Sequence, residues 1–77
     1  MKIFEEIDDK SGISSIYNEF GAIYLTEKNY ATSLEYFGNS IAICDELEDE
    51  YGKAAPYTNS GQLHLEQGIL LIYLLKL

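Results

Sequence analysis

The segment ISSIYNEFGAIYLTEKNYATSLEYF, residues 13–37, decides the fold. Its apolar residues recur at steps of three and four: Ile13, Ile16, Tyr17, Phe20 and Tyr24 before the polar triplet Glu27-Lys28-Asn29, then Tyr30, Leu34 and Phe37 after it. The second series runs on through Ile41, Cys44 and Leu47. A period near 3.6 places each series on one face of an α-helix, so the reading is two amphipathic helices. Three residues between them allow only a tight turn, which makes the helices antiparallel neighbours. Gly21 falls inside the first helix, where glycine costs about 1 kcal/mol relative to alanine, so it marks a close approach by the facing helix. Ser33 is the natural small partner, with Tyr17, Tyr24, Tyr30 and Phe37 filling the interface around it.

Sliding the chain against itself by 40 residues shows a duplication. Of 37 overlapping pairs eight are identical: Ile3/Ile43, Glu6/Glu46, Asp9/Asp49, Gly12/Gly52, Tyr17/Tyr57, Gly21/Gly61, Leu25/Leu65 and Leu34/Leu74. Random pairing gives roughly two, so the chain is read as a repeat protein. The likeness is strong up to about Gln67 and weak beyond it. Asp49 to Gly52 closes the second helix, and Pro56 falls in the first turn of a third, where its missing N–H has no partner to lose.

Tyr17, Phe20-Gly21, Tyr24, Tyr30, Ser33 and Phe37 together resemble the large residue, Leu-Gly pair, tyrosines, small residue and second aromatic of the tetratricopeptide repeat, in its 40-residue variant. Ser33 and Ser40 replace the usual alanines, Lys28 the usual turn glycine, and Ser60 and His64 a leucine and a tyrosine. The resemblance implies an all-α fold of antiparallel helix-turn-helix repeats in a right-handed α-solenoid. It covers about one and a half repeats in a single domain: residues 1–11 as the end of a preceding helix, 12–51 as repeat one, and 52–77 as a partial, irregular repeat two. It also implies a concave groove lined by the first helix of each unit. Carried onto this chain, the groove is Ser15, Asn18, Glu19, Ala22 and Leu25, with Ala55, Thr58, Asn59, Gln62 and Glu66 from the next unit. Asn18 and Asn59 matter most, since an amide offers both donor and acceptor to a peptide backbone.

From Ile69 the resemblance stops. Residues 69–77 hold no small residue, and Tyr73 occupies the place of Ser33. This stretch is read either as an irregular closing helix or as a truncated or altered end of a longer product. Its seven-residue apolar run is far short of the roughly 18 to 20 residues of a membrane span.

Charge and composition narrow the function. The 77 residues carry 13 acids against five lysines and no arginine, a formal charge of −8. Such a surface cannot neutralise phosphates, which excludes nucleic acid as the expected partner. Cys44 is the only cysteine, and its neighbours Ile41, Ile43 and Leu47 argue for a buried small residue. With no disulfide to form and no secretory start, the expected location is cytoplasmic. The lone His64, expected on the inter-helix face as a packed, hydrogen-bonded side chain, has no catalytic or zinc-binding companion nearby. The acidic run Asp45, Glu46, Glu48, Asp49, Glu50 lacks the oxygen spacing and central glycine of a calcium loop and reads as a solvated helix end. The expectation is a non-enzymatic interaction module, without cofactor or metal, whose groove binds a peptide or helix of a basic or neutral partner. The alternative is a structural piece of a longer solenoid, or a module that self-associates through its apolar 69–77 end.

Overall fold

The computed structural model describes residues 9–77 as three α-helices with no strand: α1 (Lys10–Thr26), α2 (Tyr30–Glu46) and α3 (Ala54–Lys76). The chain is all-α. Most of the expected preceding helix, residues 1–8, lies outside the described residues. Lys10 and Ser11, placed with it from the sequence, belong instead to α1, which begins after Asp9.

The ends of the helices account for several of the repeated residues. Asp9 accepts a hydrogen bond from the Gly12 backbone N–H at 2.9 Å, and Asp49 accepts one from Gly52 at 2.9 Å. These are the same bond, forty residues apart, made by residues identical in the two units. α1 closes with Asn29 N–H donating to the Tyr24 carbonyl and Lys28 N–H to Leu25, while Asp49 and Glu48 donate to Cys44 and Asp45 at the end of α2. Both closures require a left-handed residue after the cap, and here these are Lys28 (φ 65°) and Glu48 (φ 55°) rather than glycine. A Cβ is unfavourable in that region, so Glu48→Gly, an exposed position, should raise stability by about 1 kcal/mol. An unchanged or lower urea midpoint would contradict the strain.

α1 and α2 pack antiparallel: Lys10 pairs with Glu46, Ser14 meets Ser40, and Gly21 meets Ser33. α3 returns parallel to α1, since Asn59 bonds Asn18 and Glu66 pairs with Lys28. The fully buried Leu63 of α3 closes the core with Phe37 and Leu25, with Tyr30 and Leu34 packed against it. Pro56, also fully buried, seats the first turn of α3.

The tightest part of the α1–α2 interface is lined by small residues. Ser14, Gly21, Ser33 and Ser40 are all buried, and each serine hydroxyl has a partner. Ser33 donates to the Gly21 carbonyl at 2.6 Å, and Ser14 reaches the Ser40 carbonyl and hydroxyl, both at 2.9 Å, and the Cys44 sulfur at 3.2 Å. The serines therefore line the contact without leaving a buried polar atom unsatisfied. The expected aromatic filling is redistributed. Only Phe37 enters the core, whereas Tyr17, Phe20 and Tyr24 gather around Tyr36 at centroid distances of 6.0, 5.5 and 5.5 Å. Phe37 takes the place on the contact line over Gly21, where no Cβ intervenes, and the α1 rings flank that line.

Beyond Leu63 the second unit departs from the first. α3 runs unbroken through Gly68 to Lys76, without the turn that ends α1 at the corresponding place. Every residue from Ile69 to Leu77 is exposed. His64 is also exposed rather than packed between helices, since none of the described residues covers it. Among the described residues no helix is long and apolar enough to cross a membrane.

Candidate functional site

The parallel return of α3 beside α1 leaves a cavity of about 250 Å³ between them. Ser15, Asn18 and Glu19 of α1 and Ala55 of α3 line it, four of the residues assigned to the groove from the sequence. Ser14, Ser40 and Cys44 lie at its buried side, with Ser11, Asp49, Gly52 and Pro56 completing the wall. The contribution of Asp49 and Gly52 was visible in the sequence only as two of the 40-residue identities. They reach the cavity because their turn leads into α3.

The remaining groove residues fall in three places. Asn59 donates from its amide to the Asn18 side-chain oxygen at 3.1 Å, so the two amides bridge α1 and α3 at one edge of the cavity. Ala22 is half-buried and Thr58 and Gln62 are exposed, none of them on the cavity wall. Leu25 requires correction: only 8% exposed, it packs with Phe37 and Leu63 and is core rather than groove. Leu63 of α3 and Phe37 of α2 pack on it, so the apolar side chain is taken into the core.

The cavity is acidic. Glu19 and Asp49 line it, and none of the described lysines does. Among the described residues three lysines are paired elsewhere, Lys10 with Glu46, Lys28 with Glu66, and Lys53 with Asp45 and Glu50. These pairs fasten the ends of the helices. The acidic run is accordingly partnered as well as solvated, with Asp45, Glu46, Asp49 and Glu50 each accepting a hydrogen bond or ion pair. No three His, Cys, Asp or Glu side chains among the described residues gather to hold a metal ion.

Below the groove, the Lys28 ammonium hydrogen-bonded to Glu66 holds that carboxyl below the usual carboxylate range, and Gln62 adds to the effect. Glu66 in turn raises Lys28 above the ordinary lysine value. A lowered carboxyl stabilises the fold at neutral pH, and the contribution is lost as the pH falls through its folded value; a raised lysine loses its contribution only at strongly alkaline pH. Glu66→Gln should therefore flatten the decline of the urea midpoint between about pH 5 and about pH 3. A mutant profile parallel to that of the wild type would exclude this pair as a source of the acid sensitivity.

No family model, no curated protein and no solved structure matches the chain.

Proposed function

We propose that the chain is a non-catalytic protein-interaction module of about one and a half tetratricopeptide-like repeats, whose groove between α1 and α3 holds a peptide or helix of a basic partner. The carrying observation is the cavity itself, with two carboxylates, Glu19 and Asp49, and no cation among the described residues of its wall. Such a pocket suits a lysine or arginine side chain, while the Asn18–Asn59 bridge at its edge offers an unused amide –NH2 and an unused carbonyl to the peptide backbone. The repeat reading is supported by the parallel α1 and α3, the paired Asp-Gly turns, and Lys28 in the left-handed position where the family has glycine. A single buried thiol fits a reducing, cytoplasmic setting.

Selection from a randomised peptide library tests the reading. Enriched sequences should carry a basic residue. Glu19→Gln and Asn18→Ala should each weaken the best of them by about 1 to 3 kcal/mol, measured by fluorescence anisotropy. Peptides without a basic residue, or affinities unchanged in both variants, would reject the groove.

A further inference from the structure

The face of α3 turned away from Pro56 and Leu63 carries a seam with spacing of three and four residues: Thr58, Gly61, Leu65, Gly68, Ile72 and Leu75. Every one of them is exposed. An ideal Cβ on Gly61 or on Gly68 would meet nothing within 4 Å, although each glycine lies inside the helix and weakens it. Gly21, the counterpart of Gly61 one unit earlier, is covered by α2, with Phe37 ring atoms 2.5 Å from the place of its Cβ. The seam on α3 has the same small-residue geometry without the covering helix.

We propose that a second copy of the chain supplies that helix, the two α3 helices pairing antiparallel with their two-fold axis at Gly68. Three observations commit the seam to a second copy. The first is self-complementarity: reversed about Gly68, the seam sets Gly61 against Leu75 of the second copy, Leu65 against Leu71 and beside Ile72 of the second copy, and Gly68 against itself. Large side chains thus enter glycine hollows, and the backbones come close at the centre. The second is area. Leu65, Leu71, Ile72 and Leu75 are 54 to 78% exposed. Together with the two glycines they form a small apolar surface, the size class of a dissociable interface of under about 1,200 Å² in total. The third is charge: the seam has none, although the chain carries −8. An antiparallel pair sends the two acidic α1–α2 hairpins to opposite ends, whereas a parallel pair would place them side by side. This pairing lies on the opposite side of α3 from Leu63 and does not depend on the groove reading.

Sedimentation of the full chain from about 1 to about 300 µM should show a dimer that dissociates on dilution. Gly68→Glu places two like charges at the axis and should weaken the dimer by roughly 100-fold or more, with helicity by circular dichroism retained. Leu70→Glu, on the other side of the same helix, should change it by less than about threefold. Oxidised Gly68→Cys should crosslink to a dimer, since residues at a glycine crossing lie within disulfide reach, whereas Gly61→Cys alone should not, its mate being Leu75 of the second copy. The buried Cys44 stays in place in both. A monomer at every concentration, equal loss from Leu70→Glu and Gly68→Glu, or crosslinking of Gly61→Cys alone would each overturn the proposal. The last of these would indicate a parallel pair.

Discussion

Phe37→Ala should cost about 3 to 5 kcal/mol, the usual range for truncating a fully buried phenylalanine. The ring is completely buried, lies over Gly21 of α1, and joins Leu25 and Leu63 in the one core cluster, so it touches all three helices. A domain of this length has a total stability on the order of 4 to 11 kcal/mol, so the variant should be largely unfolded or melt far earlier. Phe20→Ala provides the contrast. That ring is 40% exposed and flanks the helix contact against Tyr36, so its loss should cost about 1 kcal/mol. Urea titrations followed by circular dichroism compare the two. Equal costs would mean that the core does not centre on Phe37.

Gly21→Leu should destabilise by roughly 3 kcal/mol or more, at the upper end of what overpacking costs. Even a bare Cβ there would sit 2.5 Å from two carbons of the Phe37 ring, and that ring has no solvent side into which to retreat. Gly61→Ala should act in the opposite direction, gaining up to about 1 kcal/mol of helix propensity in the monomer, because its Cβ meets nothing. Opposite signs for glycines at the same place in the two units would establish that Gly61 stands uncovered where Gly21 is packed. A gain at Gly21 would refute the close approach.

The pattern of residues 13–37 by itself determined two helices, the tight turn at Glu27-Lys28-Asn29 and their antiparallel pairing, because helical periodicity and a three-residue connection leave little alternative. The 40-residue identities likewise marked the Asp-Gly turns, and a glycine in mid-helix marked the contact at Gly21. These are local signals, carried by residues close together in the chain or by a residue type with one dominant physical use. Four of the residues assigned to a groove from the sequence, Ser15, Asn18, Glu19 and Ala55, line the cavity between α1 and α3.

What only the tertiary structure decided was which apolar residues are covered and what the polar ones meet. Periodicity marks Tyr17, Phe20, Tyr24, Leu25 and Phe37 alike as apolar, but burial depends on how closely the helices approach. The close contact at Ser14, Gly21, Ser33 and Ser40 pushes the α1 rings aside and brings Leu63 of α3 down onto Leu25 and Phe37. The same approach sets Asn59 within hydrogen-bonding distance of Asn18, a pairing across 41 positions that no local pattern encodes. The straight course of α3 was equally hidden in the sequence. Ile69 to Leu77 is compatible with any buried helix, and it stands exposed because nothing among the described residues folds back over it.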